Sequence, residues 1–103
     1  MIIYADIDGT ICSDESGLYE KVKPIKEQIN KINKLYDEGN TIIYWTARGT
    51  VTGINWFDLT KNQLLSAGAK FTGLDVGNKP HFDILIDDKA IQAESYFLMQ
   101  EKT

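Results

Sequence analysis

The stretch IIYADIDGT at residues 2–10 decides the fold, because an apolar run ends there in two aspartates and a glycine. Residues 2–7 are too few and too apolar to make a surface helix, so they predict a strand that is covered on both faces. A second apolar run, TIIYW at residues 41–45, predicts another strand of the same kind. Two buried strands about forty residues apart leave room between them for a crossing helix.

Helical spacing fills that interval and returns later in the chain. Apolar side chains recur every three or four residues at Ile25, Ile29, Ile32 and Tyr36. The pattern predicts helices over residues 24–37, 56–67 and 89–101, with Ala90, Ala93 and Phe97 on one face of the last, and further strands over residues 71–76 and 82–86. Strands that alternate with helices indicate βαβ units. We therefore expect one α/β domain over residues 1–103, a Rossmann-like three-layer sandwich with a mostly parallel central sheet and no cap domain.

Composition and charge exclude several classes of function. Eleven Lys and Arg stand against 15 Asp and Glu, for a net charge of −4. A nucleic-acid binder needs a basic surface, so we expect no nucleic-acid partner. No apolar run approaches the roughly 20 residues that span a bilayer, and no cationic segment precedes the first run, so we expect neither a membrane span nor a secretory signal. The single cysteine, Cys12, cannot form an internal disulfide, which favours a cytoplasmic protein.

Polar residues follow the predicted strands at the ends where parallel sheets bind ligands. They are Asp6 and Asp8 after the first strand, Thr46 after the second, Lys79 before the fourth, and Asp87 and Asp88 after the fourth. Because the carboxyl ends of parallel strands meet at one edge of the sheet, we expect these six residues to be gathered there. Each position alone has an ordinary explanation, such as a turn aspartate, a helix cap or a surface lysine.

Four gathered carboxylates repel one another unless a cation neutralises them. Asp6 and Asp8 are two residues apart, so in an extended segment both carboxylates point to the same side. Oxygen ligands of this kind suit Mg²⁺, which is often bound by one or two carboxylates and a substrate phosphate. Lys79 adds a positive charge, and a carboxylate can itself attack phosphorus. The combination predicts phosphoryl transfer, which depends on positioning and on charge neutralisation.

Four motifs in order resemble those of the haloacid dehalogenase superfamily of phosphohydrolases. The sequence DIDGT at residues 6–10 resembles its first motif, and IIYWT at residues 42–46 resembles its second. Lys79 resembles the third motif, and ILIDD at residues 84–88 resembles the fourth. The set spans residues 2–88. The resemblance implies a Mg²⁺-dependent phosphomonoester hydrolase that acts through an aspartyl-phosphate intermediate.

The resemblance also implies roles for the acidic positions. Asp6 would be the nucleophile and a metal ligand. Asp8 would protonate the leaving oxygen and then activate water, with its backbone carbonyl on the metal. Asp87 and Asp88 would complete the metal site, and which of the two binds directly stays open.

The remaining matched positions would hold the substrate. Thr46 and Lys79 would bind the phosphoryl group, and Ala47 and Arg48 lie in the same loop. We expect Arg48 to be exposed, either touching substrate or simply solvated. Cys12 is expected to be a packing residue, because no base lies near it in the sequence.

A closer resemblance narrows the substrate class. Six short stretches are similar to small capless members linked to capsule or other surface-polysaccharide synthesis. They are TARG at residues 46–49, NW at 55–56, LT at 59–60, QL at 63–64, NKP at 78–80 and IDDKA at 86–90. This implies a small phosphorylated substrate, a sugar or polyol phosphate. Without a cap the site would be open, so either the substrate is bulky or a neighbouring subunit of a homo-oligomer closes the site.

Three other functions compete with this interpretation. A receiver-type regulatory domain uses the same residue types, but there the acidic pair ends the first strand and the phosphorylated aspartate ends a middle one, the reverse of the order in this chain. A metal-dependent nuclease would need a basic groove, which the charge disfavours. A catalytically degenerate phosphate-binding domain is the third, although all the matched positions carry the required residue types.

Overall fold

The centre of the protein is a sheet of three parallel strands. A computed structural model of the chain describes residues 1–101, and the side chains of residues 1–99. The strands are β1 (Ile2–Ala5), β2 (Thr41–Thr46) and β3 (Gly73–Val76), in that order across the sheet. Ile3 lies opposite Ile42, and Trp45 lies opposite Asp75. The prediction of an α/β fold with a parallel sheet is confirmed, and it is consistent with a Rossmann-like sandwich.

Helices connect the strands in the way that parallel pairing requires. They are α1 (Lys26–Asp37), α2 (Phe57–Ser66) and α3 (Ala93–Glu101), with a short 3₁₀ helix at Tyr19–Lys21. α1 and α2 each lie within two residues of the predicted bounds, whereas α3 begins four residues later than predicted. Ala90 is therefore exposed and outside the helix, while Ala93 and Phe97 pack against the core as their spacing predicts. None of the helices within residues 1–101 has the length and apolarity needed to cross a membrane.

The core lies on one face of the sheet. The prediction that residues 2–7 form a strand covered on both faces was therefore wrong, since Ile2 and Tyr4 are 73% and 57% exposed on the other face. Along β2 the side chains of Ile42, Tyr44 and Thr46 are buried, whereas the alternate ones are half-buried, as the two-residue period of a strand requires. The helices supply the opposing apolar surface, chiefly Ile29 and Ile32 from α1, Leu64 from α2 and Phe97 from α3. This packing fixes the carboxyl ends of β1 and β2 side by side, and the candidate site lies there.

The predicted fourth strand does not form. Residues 82–86 lie outside every strand and helix of the described chain, and Ile84 and Ile86 are 78% and 94% exposed. β1 is consequently an edge strand, paired with β2 alone. An apolar run is only one of the conditions for a strand, and the other is a neighbour that takes up its backbone hydrogen bonds. The prediction of a strand at residues 82–86 was wrong, because this segment does not pair with the open edge of β1.

Matched isoleucine-to-alanine changes test the position of this segment. Because Ile86 is almost wholly exposed, Ile86→Ala should change the free energy of unfolding by less than about 0.5 kcal/mol. Ile42→Ala, at a position with 0% exposure, should lower it by about 2–5 kcal/mol. Urea unfolding of both variants provides the comparison. A comparable loss at Ile86 would show instead that residues 82–86 pack as the buried strand that the sequence predicted.

Candidate active site

A tight turn after β1 carries the two aspartates of the first motif. The carbonyl of Ile7 accepts hydrogen bonds from the N–H groups of Thr10 and Ile11, both at 3.0 Å, and the N–H of Gly9 donates to the carbonyl of Cys12 at 2.9 Å. Gly9 has a φ of 83°, in the left-handed region that glycine adopts without strain. The buried side chain of Ile7 anchors the turn, and the carboxylates on either side of it remain partly exposed.

Lys79 forms an ion pair with Asp6. Its Nζ lies 2.8 Å from Oδ1 of Asp6, although the two residues are 73 positions apart. The hydroxyl of Thr10 donates to the other carboxylate oxygen at 3.3 Å. The Asp6 side chain is 36% exposed and that of Lys79 is 13% exposed. The pair thus presents a partly open carboxylate next to a fixed ammonium group.

The Lys79 side chain is positioned by its surroundings. The hydroxyl of Thr50 donates to the carbonyl of Lys79 at 2.7 Å, which ties this loop to the one after β2. The ammonium nitrogen of Lys79 also lies 5.2 Å from the ring centroid of Trp45 and 5.6 Å from that of Phe82, within the range of cation–π attraction. These contacts hold the positive charge at the carboxyl end of the sheet.

Asp8 is bound by Arg48. Nε of Arg48 donates to Oδ2 of Asp8 at 3.0 Å, and a terminal nitrogen donates to Oδ1 at 2.7 Å. This two-point geometry matches the planar guanidinium to the planar carboxylate, the strongest form of such a pair. The Asp8 side chain retains 19% exposure, whereas that of Arg48 has none. Asp8 therefore sits at the boundary between solvent and a buried cation.

The expectation that Arg48 is exposed was wrong. The residue is 1% exposed, because its side chain turns inward towards α2. One terminal nitrogen of the guanidinium donates to Thr60 at 3.1 Å and to Gln63 at 2.7 Å, and the Tyr19 ring lies 4.8 Å from its central carbon. Burial opposes the charged form, but the hydrogen bonds to Asp8 and its negative charge outweigh burial and hold the pKa of Arg48 above its ordinary value.

Thr60, Gln63 and Tyr19 were not predicted as site residues. Thr60 and Gln63 are three residues apart and share a helix face with buried Leu64. Two polar side chains on the apolar face of a helix are a detectable signal, since such groups need buried partners.

Thr46 ends β2 inside the protein. It is 2% exposed, and its hydroxyl oxygen accepts the backbone N–H of Arg48 at 3.2 Å. Its carbonyl accepts the N–H of Gly77 at 3.1 Å, which joins the loops after β2 and β3. Ala47 follows it and is half-buried. At 2% exposure Thr46 presents almost no surface to a phosphoryl group, which does not fit the substrate-binding role that the resemblance implies.

Gly49 shapes the loop after β2. Its φ is 84°, and a Cβ at this position would lie 2.1 Å from the carbonyl oxygen of Ile54. A residue with a side chain would therefore force the loop, and Arg48 with it, to move.

Comparisons with known proteins support the fold and go no further. No protein-family model matches the chain, and no curated protein matches it. Its structure is similar to the crystal structure of an MCSG target from Vibrio cholerae, with a TM-score of 0.80 over 99% of this chain and 98% of that one. The two sequences are 20% identical, so the likeness shows a shared α/β fold alone.

The structure does not gather the four carboxylates of the expected magnesium site, and the cofactor itself stays a prediction. Asp87 and Asp88 are exposed on the segment at residues 81–92, and no group of three or more His, Cys, Asp or Glu side chains within residues 1–99 could hold a metal ion. Oxygens of Asp6 and Asp8 already accept hydrogen bonds from Lys79 and Arg48. The structure therefore brings Asp6 and Asp8 to the edge of the sheet without the second acidic pair, because the strand that would carry that pair does not form.

Asp87 instead stabilises a turn. Its Oδ1 accepts the backbone N–H of Lys89 at 2.7 Å. That bond is the largest cause that holds the pKa of Asp87 below its ordinary value.

Cys12 lies beside the aspartates but is not a nucleophile. Burial, reinforced by the negative charge of Asp8, raises the pKa of its thiol to about 12. The thiol is neutral near neutral pH and donates weakly to Oδ1 of Asp8 at 3.5 Å. The site thus contains two different carboxylates. Asp6 is partly open and lies beside an ammonium group, whereas Asp8 is held by a guanidinium.

Proposed function

We propose that this protein hydrolyses phosphomonoesters through an aspartyl-phosphate formed on Asp6, and that its substrate is a small sugar or polyol phosphate. The observation that carries the proposal is the partly exposed Asp6 carboxylate 2.8 Å from Nζ of Lys79, at the carboxyl end of a parallel sheet. The ordered resemblance of four motifs to the haloacid dehalogenase superfamily supports it. The substrate class follows from the closer resemblance alone.

In the first step an oxygen of Asp6 attacks the phosphorus of the ester. A new phosphorus–oxygen bond forms to the carboxylate, and the bond to the leaving oxygen breaks with its electron pair on that oxygen. Asp8 in its protonated form gives its proton to the leaving oxygen, which departs as an alcohol. Lys79 offsets the negative charge that a phosphate dianion brings towards the carboxylate.

In the second step water attacks the phosphorus of the aspartyl-phosphate. The Asp8 carboxylate takes a proton from the water, the bond from phosphorus to Asp6 breaks, and inorganic phosphate leaves. Asp6 is restored as a carboxylate and Asp8 is again protonated, so the cycle closes.

A phosphate-release screen tests the function. We expect turnover on 4-nitrophenyl phosphate and on at least one monophosphate from a panel of sugar, polyol and nucleotide phosphates. Parallel reactions with added Mg²⁺ and with EDTA test the magnesium prediction separately, since Mg²⁺ is often bound by only one or two carboxylates and a substrate phosphate. No phosphate release on any member of the panel, with or without the metal, would contradict the proposal.

The cellular location and the oligomeric state of the protein belong to the same proposal. We place the protein in the cytoplasm, on the ground that Cys12 is buried as a free thiol and phosphorylated sugars are made there. An open site favours either a bulky substrate or a homo-oligomer, and light scattering of the protein in solution distinguishes the two.

A further inference from the structure

All the hydrogen-bond donors of Arg48 face protein atoms. Nε and one terminal nitrogen hold Asp8, that same terminal nitrogen approaches Sγ of Cys12 at 3.9 Å, and the other one donates to Thr60 and Gln63. A guanidinium has five N–H donors, so this network leaves none for a phosphate group. The side chain has no exposed surface through which a substrate could reach it.

The network also fixes where the guanidinium sits. Gln63 accepts from Arg48 through its side-chain oxygen at 2.7 Å and donates from its nitrogen to the carbonyl of Tyr19 at 2.7 Å. The Tyr19 ring in turn packs against the guanidinium. α2 and the 3₁₀ helix therefore hold Arg48 from two sides, and Arg48 holds both oxygens of Asp8.

We propose that Arg48 is the positioning residue for Asp8, and that it does not bind the phosphoryl group. The proposal rests on the proposed function, in which Asp8 transfers the protons of both steps. Oδ2 of Asp8 accepts from Nε of Arg48 and keeps its second lone pair, so it can bind and release the proton of each step. The two bonds from Arg48 meanwhile keep the carboxyl group in one orientation relative to Asp6. Thr60 and Gln63 make no hydrogen bond to Asp8 and act by holding Arg48.

Arg48→Lys separates positioning from phosphate binding, because lysine keeps the charge and loses the two-point geometry. An aryl phosphate has a leaving oxygen that needs no proton, so the first step should survive and the second should slow. With 4-nitrophenyl phosphate we expect a burst of one nitrophenolate per site, a kcat lower by about 10²-fold, a lower KM, and a kcat/KM within about threefold of the wild type.

An alkyl phosphate gives the complementary result. Its leaving oxygen needs the proton from Asp8, so with the best sugar or polyol phosphate from the screen, kcat/KM of Arg48→Lys should fall by about 10²-fold. A raised KM with unchanged kcat would instead make Arg48 a phosphate binder and overturn the proposal. An equal loss of kcat/KM on both substrates, without a burst, would also overturn it, since that indicates general damage to the site.

A second variant guards against misfolding of Arg48→Lys. Gln63→Met removes one partner of Arg48 from a half-buried position on α2. Its kcat/KM should fall more on the alkyl phosphate than on 4-nitrophenyl phosphate, as for Arg48→Lys, but by a smaller factor. Asn62→Met, at the exposed neighbouring position, is the matched control and should behave as the wild type. Identical kinetics of Gln63→Met and Asn62→Met would overturn the proposal if Arg48→Lys does not fold. Inactivity of the wild-type protein on every phosphate would instead refute the proposed function itself.

Discussion

Asp6→Asn should abolish phosphate release, with turnover lower by about 10⁴-fold or more. The amide is nearly the same size as the carboxylate, so the geometry of the turn is kept, but it lacks the charged oxygen that attacks phosphorus. It also leaves the ammonium of Lys79 without its negative partner at 2.8 Å. Steady-state phosphate release measures the loss, and mass spectrometry of acid-quenched wild-type protein should detect one added phosphoryl group that the variant lacks.

The control for this variant is an aspartate outside the site. Asp58→Asn changes an exposed residue in the first turn of α2 and should retain wild-type turnover. Stability should not confuse the comparison, because the pair of Asp6 with Lys79 is partly exposed and such pairs contribute about 1 kcal/mol or less. Substantial turnover by folded Asp6→Asn would exclude Asp6 as the nucleophile.

Much of the fold was predictable, because strong patterns coincide with real burial. The runs at residues 2–7 and 41–45 became β1 and β2, and the spacing of Ile25, Ile29 and Ile32 became α1 with two of the three isoleucines in the core. In α1 and β2 the side-chain period and the covering surface agree, whereas β1 leaves Ile2 and Tyr4 exposed on one face.

The segment at residues 82–86 shows where that reasoning fails. Its residues are as apolar as those of β1, yet no neighbouring strand takes up its backbone hydrogen bonds in the described part of the chain. The apolar composition of a segment indicates that it can be buried, but it does not indicate whether the segment pairs with a particular edge of the sheet. The loss of this one strand also removed Asp87 and Asp88 from the predicted metal site.

The candidate site was predictable to the extent that topology alone determines it. Asp6 and Lys79 meet across 73 positions because Asp6 follows β1 and Lys79 lies in the loop after β3, at the same carboxyl edge of the sheet. The prediction placed Lys79 before a fourth strand, which does not form. Arg48 was misplaced because a long side chain after a strand can turn outward or inward with equal ease. Its direction depends on Asp8 and on the polar face of α2, and that is tertiary information.

Asp8→Ala should be among the most destabilising single changes in the protein, lowering the free energy of unfolding by about 3 kcal/mol. The reason is the burial of Arg48, whose side chain is 0% exposed and would lose the carboxylate that compensates its charge. Urea unfolding measures the effect. Asp37→Ala is the control, since Asp37 pairs with Lys70 at 2.9 Å in an exposed position and its loss should change stability by about 1 kcal/mol or less.

A double-mutant cycle distinguishes an uncompensated charge from simple loss of packing. Arg48→Met should lower stability by about 2 kcal/mol, less than Asp8→Ala, because the Asp8 side chain is 19% exposed and water can solvate it. The double variant Asp8→Ala/Arg48→Met removes both charges, so its loss should be smaller than the sum by about 1.5 kcal/mol or more. Additive losses would mean that the two side chains stabilise the protein independently, and the pairing that orients Asp8 would then lack an energetic basis.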